Sequence, residues 1–237
     1  MNTLTRRRFL WITGLSVLGA VAGLSGCGES RNAADTSASE SASSRSAALP
    51  ADTASAPSTS TVPAASNGVS LVLVFSRAGE NYGVGTVEMG NTMVLAQMIA
   101  EKTGADVFEI ERSKPYPEAY DACCDEALEE KNSGARPELV AMPDLSGYDT
   151  VYLGFPCWWG DMPMPVYTAI EALDWRGKTI SPFNTHAGSG DAGMFATAAR
   201  KCAGATVTDG LTMAGTTAQN DRSAAGSQVD NWLASLS

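Results

Sequence analysis

The sequence predicts a doubly wound α/β domain, a five-stranded parallel sheet with helices on both faces, and three observations carry that prediction. Short runs rich in Val, Leu, Ile and Phe are apolar at nearly every position, the pattern of strands covered on both faces. Segments with helical apolar spacing lie between them, and such alternation implies right-handed crossovers within one sheet. Finally, residues 33–67 are almost entirely Ser, Ala, Thr, Pro and Asp, which cannot bury enough apolar surface to offset chain entropy. Residues 68–237 therefore form the folded unit, at about 170 residues large enough for one well-buried domain.

Residues 69–75 (Val-Ser-Leu-Val-Leu-Val-Phe) form the first buried strand. A Gly-rich loop follows, and Met93 to Ala100 has helical spacing and stops at Gly104. Residues 106–110 alternate and read as a second, more exposed strand. Lys114-Pro115-Tyr116-Pro117 then breaks the chain before a polar helix over 118–131. Residues 150–155 are a third buried strand ended by Pro156, with a helix after Pro165 reaching Leu173. Strand four spans 179–183, where Pro182 is best tolerated near a strand end or bulge. A helix over 191–202, a short last strand over 205–208 and an amphipathic helix over 229–236 complete the domain.

The N-terminus has the pattern of a targeting segment. Arg6, Arg7 and Arg8 precede Phe9 and a short apolar run ending at Leu24-Ser25-Gly26-Cys27, so residues 1–26 are expected to be an export signal. The run is short for a bilayer span and is interrupted by Gly14, Gly19 and Gly23; an uncleaved anchor helix is the alternative. Thr5-Arg6-Arg7-Arg8-Phe9-Leu10 resembles a twin-arginine signal, and Leu24-Ser25-Gly26-Cys27 resembles a bacterial lipobox that would place a lipid on Cys27. Residues 27–67 would then be a disordered tether holding an extracytoplasmic domain at the bacterial cell membrane.

Removing residues 1–26 deletes three Arg and no acid, so the formal charge of −10 moves to −13. Without a basic patch, nucleic-acid binding is excluded as an expectation; an acidic surface suits positively charged partners. Cys123, Cys124, Cys157 and Cys202 show no spacing for zinc or an iron–sulfur cluster, and no metal site is expected. They read as buried small hydrophobes. Adjacent Cys123 and Cys124 lie about 100° apart on a helix and should not bridge each other. A bridge from either to Cys202 stays open.

Three loops follow the carboxyl ends of strands, where open α/β sheets bind ligands. The first runs Ser76-Arg77-Ala78-Gly79 and, after an insertion, Gly90-Asn91-Thr92 at a helix start. Small residues, hydroxyls and a helix N-terminus make an anion site. Its spacing is neither GxxxxGK[ST] nor GxGxxG, which argues against triphosphate and Rossmann dinucleotide readings. The second, Pro156-Cys157-Trp158-Trp159-Gly160-Asp161-Met162-Pro163, places two planar aromatics at the sheet's mouth, suited to stacking on a planar ligand. The third, Asn184-Thr185-His186-Ala187-Gly188-Ser189-Gly190-Asp191, allows close backbone approach and carries the one histidine, with no nucleophile-elbow pattern beside it.

Together these loops resemble the three FMN-binding loops of flavodoxin-like proteins, in the expected order across about residues 70–215. The resemblance implies strand order 2-1-3-4-5 and flavin mononucleotide (FMN) as cofactor. Ser76, Arg77, Gly90, Asn91 and Thr92 would hold the ribityl phosphate. Pro156, Cys157, Trp158, Trp159 and Gly160 would flank the flavin ring, and Thr185, His186, Gly188, Ser189 and Gly190 its other side or pyrimidine edge. The insertion between Gly79 and Gly90, and Ala187 in place of a frequent Gly, depart from the family pattern. No catalytic residue is assigned.

The expected function is extracytoplasmic electron transfer through bound FMN, exchanging electrons with redox partner proteins. The alternative is an FMN-dependent NAD(P)H:quinone-type oxidoreductase acting on small acceptors, with His186 or Tyr82 as candidate proton donors. A third class is a lipoprotein that keeps the fold without flavin.

Overall fold

A computed structural model describes residues 69–236. The export segment, Cys27 and the tether lie outside the described residues. Among the described residues no helix is long and apolar enough to cross a membrane.

The main sheet is parallel, in the order β4-β1-β5-β6-β7, with β8 also paired to β6. Its strands are β1 (Ser70–Val74), β4 (Asp106–Glu109), β5 (Thr150–Pro156), β6 (Thr179–His186), β7 (Thr206–Val207) and β8 (Leu211–Ala214). Counted as the five sequence strands, this is the 2-1-3-4-5 order, with the fifth strand divided between β7 and β8. Helices α1 (Asn91–Thr103), α2 (Tyr120–Ser133), α3 (Met164–Ala172), α4 (Met194–Lys201), α5 (Gly215–Asn220) and α6 (Arg222–Ser235) flank it.

Strand β1 shows why the unbroken apolar runs belong at the centre. Leu71, Leu73 and Phe75 face a core shared with α3 and α4, while Val72 and Val74 face a second core formed with α1, α5 and α6. Both faces exclude water, so neither needs polar residues. Gly154 in β5 is a packing requirement: a Cβ there would come within 2.7 Å of the Phe183 ring.

Pro182 lies in mid-strand, not at an end. Lys178 O accepts from Thr206 N and Ile180 O from Thr208 N, both at 2.9 Å, so alternate residues of β6 turn their backbone groups towards β7. Pro182 has the same parity and falls opposite the break between β7 and β8, where no ladder bond needs its missing N–H. That break also explains the short last strand: only Thr206 and Val207 of the expected 205–208 pair with β6 before the chain loops out and resumes at Leu211.

Other boundaries moved for local reasons. Asp191 O accepts from Met194 N, making a turn of 191–193, so α4 starts at Met194. The final helix begins at Arg222, well before 229, because the Asp221 side chain accepts from Ala224 N at 2.9 Å and caps it. Helix α2 starts two residues later than expected and ends at Gly134 with φ 64°. The insertion folds as a two-stranded hairpin, β2 (Gly79–Asn81) with β3 (Gly85–Val87).

Candidate functional site

Strand order reverses between β1 and β5, since the chain passes from β1 to β4 on one side and returns to β5 on the other. The crevice beyond their carboxyl ends is where a ligand belongs in an open sheet.

At the β1 end, Ser76 Oγ accepts from Met93 N at 3.0 Å, so the strand-end hydroxyl caps α1 across the loop. The N–H groups of Asn91 and Thr92, in the first turn, have no intrahelical acceptor and point with the helix dipole into the crevice. Gly90 makes this approach possible. Its backbone (φ −64°, ψ 153°) suits any residue, yet a Cβ would sit 2.7 Å from the Arg77 carbonyl carbon and nearer still to Arg77 O and Ser76 Oγ. Thr92, almost fully buried, shares a 2.8 Å hydroxyl bond with Thr185 and so joins α1 to the end of β6. Asn91 Oδ1 is buried without an acceptor's usual partner.

Arg77 is placed differently from its expected role. Its guanidinium donates to Pro117 O at 3.2 and 2.7 Å, to Glu118 O at 2.5 Å and to Glu80 O at 2.7 Å. The side chain is thus a strut between the first loop and the segment leading into α2. The hairpin serves the same junction: Glu80 Oε2 accepts from Tyr120 N at 3.0 Å, capping α2, whose own N-cap residue, Ala119, has no side-chain acceptor. Asn81 Nδ2 donates to Arg77 O and Gly79 O at 3.2 and 3.1 Å, closing the loop on itself.

After β5 the chain makes a tight two-residue turn. Trp158 N donates to Asp161 O at 2.9 Å, Asp161 N donates to Trp158 O at 3.0 Å, and Trp159 and Gly160 between them have φ 54° and 69°. Glycine adopts this left-handed geometry freely; for tryptophan it costs about 1–2 kcal/mol. The strained residue is held from α2: Trp159 Nε1 donates to Cys124 O at 3.0 Å and Lys131 Nζ to Trp159 O at 2.5 Å. Trp159 remains 50% exposed, so packing alone does not explain it. Trp158 packs inward, edge-on to Phe75 and Tyr116 with centroids 5.4 and 5.0 Å away.

The third loop belongs in part to β6, which continues through Thr185 and His186. Asn184 Nδ2 donates to Gly190 O at 3.0 Å, and Gly188 and Gly190 have φ 114° and 64°. His186 Nδ1 accepts from Gly188 N at 2.9 Å. Burial lowers the histidine pKa, and in the neutral ring the accepting Nδ1 leaves the proton on Nε2. Ser189 Oγ donates to Cys157 Sγ at 3.1 Å, tying the second and third loops together.

Ser76, Arg77, Asn91, Thr92, Pro156, Trp158 and Thr185 surround one small cavity of about 20 Å³. A cleft of about 590 Å³ adjoins it, sharing Arg77, Asn81 and Trp158 and walled further by Cys157, Trp159, Tyr120, Asp121, Cys124 and Asp125. His186, Gly188 and Gly190 line neither, and Gly160 acts through the turn. Sequence reasoning missed Tyr120, Asp121, Cys124, Asp125 and Asn81; Tyr120 and Asp121 open α2 just after the Pro117 break, the one signal that could have marked them. All four described cysteines are free thiols. Cys123 and Cys202 are buried and burial pushes both thiols up, to about 11 and about 12. Contrary to the reading of all four as buried, Cys124 and Cys157 are half-exposed on the cleft. Among the described residues no group of three His, Cys, Asp or Glu is placed to hold a metal.

This donor set fits FMN. Two free amide N–H groups at a helix N-terminus, held against the first loop by a close approach only glycine permits, suit a phosphate, and an adjoining aromatic-walled cleft suits a planar ring.

The flavodoxin family model matches residues 86–233. No curated protein matches the chain. Among solved structures, two Bacteroides proteins provisionally described as flavoproteins are similar. The one from B. eggerthii is 24% identical, covering 70% of this chain and 99% of its own, with TM-score 0.55. The one from B. uniformis is 27% identical, covering 69% and 98%, with TM-score 0.54. A Lactobacillus acidophilus flavoprotein, whose crystal structure is a complex with FMN, shares the fold at 20% identity and TM-score 0.51, covering 70% and 99%. With the family model spanning well over half of its length, the chain belongs to the flavodoxin family.

Proposed function

We propose that this protein binds FMN in the β1/β5 crevice and carries electrons between redox partners outside the cytoplasm. The observation that supports this most is the convergence of the first loop, the second loop and the end of β6 on one cavity at the α1 N-terminus. The cofactor, when bound, supplies one- or two-electron chemistry; the protein supplies position and field. The Asn91 and Thr92 amides and the α1 dipole would hold the phosphate, with Ser76 positioning that helix end. Trp158 and Trp159 would wall the ring and keep water from it. His186, with Nδ1 accepting from Gly188 N, would offer an Nε2–H donor on the side of the third loop. Asp121 and Asp125 on the cleft oppose added negative charge there, which favours a low potential and basic partners.

A second reading, an FMN-dependent NAD(P)H:quinone-type reductase, draws on the size of the 590 Å³ cleft, which leaves room beside a flavin ring for a small planar acceptor. Visible absorption of the purified full chain separates the readings. A colourless protein that takes up no added FMN removes both and leaves the flavin-free lipoprotein. A yellow protein that oxidises NAD(P)H rapidly and continuously with a quinone favours the reductase over the carrier.

The expected export and lipid attachment at Cys27 belong to the same proposal. Intact-mass analysis of membrane-extracted protein tests them: a chain beginning at Cys27 with added acyl mass, lost in Cys27→Ala, is the expected result, and a chain retaining residues 1–26 overturns it.

A further inference from the structure

Behind the aromatic wall of the crevice lies a buried ionic cluster that the cofactor reading does not use. The Arg112 side chain is only 7% exposed; its Nη2 meets Glu126 Oε1 at 2.8 Å and Glu130 Oε1 at 3.1 Å, two carboxylates one turn apart on α2. Its guanidinium stacks over the Tyr116 ring, Cζ 3.8 Å from the centroid. Arg112 Nε and Nη1 have no acceptor, so the ring face is what they meet in its place. The Tyr116 hydroxyl donates to Glu130 Oε2, which fixes the ring at its far end. Burial first, then that carboxylate, raise the Tyr116 pKa, so the hydroxyl stays protonated and remains a donor. The other edge of the ring meets Trp158, which in turn meets Phe75.

Arg112, Tyr116 and Glu130 are each held by the other two, and burying such a cluster is costly without full pairing. Packing alone would be served as well by apolar residues. What the cluster does is transmit the position of α2 through Tyr116 to Trp158, and Trp158 borders both the small cavity and the large cleft.

We propose that Tyr116 is a positioning residue, clamped by Arg112 and Glu130, that sets the orientation of Trp158 and through it the shape of the flavin crevice. This rests on the FMN reading above. Phenylalanine at 116 keeps the ring and its volume but loses the Glu130 bond, freeing the ring to tilt; Glu130→Gln keeps an acceptor and should act more mildly.

The test uses the full chain with Tyr116→Phe, Glu130→Gln, Trp158→Phe and the Tyr116→Phe/Trp158→Phe pair, reading two signals. The first is the near-UV circular dichroism of the flavin-free protein, with the Trp158 contribution identified from Trp158→Phe. The second is the FMN dissociation constant from quenching of flavin fluorescence. Tyr116→Phe should alter the Trp158 band and weaken FMN binding about fivefold, with Glu130→Gln between it and wild type. In the Trp158→Phe background, Tyr116→Phe should add less than a twofold change, because it acts through that ring. An unchanged band, or an equal loss of affinity in both backgrounds, overturns the proposal. Should wild-type chain bind no FMN, the cofactor reading fails and the crevice role with it, while the flavin-free spectrum still accepts or rejects the Tyr116–Trp158 clamp.

Discussion

Gly90→Ala isolates the cradle at the head of α1. The backbone there is ordinary extended chain, so the substitution adds no torsional strain and tests space alone. Ordinary contacts to a Cβ begin near 3.4 Å, and the nearest carbon it would meet, the Arg77 carbonyl carbon, lies at 2.7 Å with Arg77 O closer. Ser76 could rotate away only by giving up its bond to Met93 N, about 1 kcal/mol. Arg77 O is backbone and cannot rotate at all, so the loop must shift. Overpacking of this kind costs roughly 1–3 kcal/mol, and with the lost cap the total is about 2–4 kcal/mol. For a domain of this size that lowers Tm by roughly 5–15 °C. The moved loop also narrows the phosphate end, so FMN affinity should drop at least tenfold. Thermal unfolding and FMN titration read both effects. Gly226→Ala, in the middle of α6 with open space around it, is the matched control and should stabilise by about 0.5–1 kcal/mol. Wild-type Tm and wild-type FMN affinity in Gly90→Ala would refute the cradle argument.

Three other outcomes follow from the same geometry. Replacing Trp158 and Trp159 together by Ala should weaken FMN binding more than tenfold, and unchanged affinity in the titration rejects their assignment as the ring's wall. Trp159→Asn relieves about 1 kcal/mol of left-handed strain and loses one hydrogen bond of similar worth, so Tm should move by only a few degrees while FMN affinity falls. The Arg136–Glu171–Lys201 cluster holds the Glu171 carboxyl down, at about 2, by hydrogen bonds first from Arg136 and then from Lys201. A depressed acid contributes stability above its unfolded pKa and loses it as pH falls from about 4.5 towards 2; Glu171→Gln should flatten that part of the acid-unfolding curve, by under about 1 kcal/mol since the pairs are solvent-exposed.

The strands β1, β5 and β6 were legible because burial on both faces leaves an unmistakable apolar run. Strand β8 was missed although Leu211-Thr212-Met213-Ala214 alternates as a half-covered strand should; a four-residue signal after a glycine does not stand out from turn composition. The meeting of Ser76, Gly90, Asn91 and Thr92 around one helix end was legible because those contacts are local. Legibility failed where a contact spans distant segments. Nothing near Arg77 announces that its partners are carbonyls about forty residues on, and nothing near Cys124 announces Trp159. The role of the insertion was hidden for the same reason, because Glu80 caps a helix that begins at Tyr120.

The Thr92–Thr185 hydroxyl pair, with Cys157 N bonded to Thr185 O at 2.7 Å and Ser189 to Cys157, cross-ties all three loops in the chain by itself. Such a crevice meets its ordering entropy during folding rather than at encounter, so a ligand has little left to arrange. Association should then run as a single phase proportional to ligand concentration, with no slow closing step, and affinity differences among variants should reside in how fast the ligand leaves.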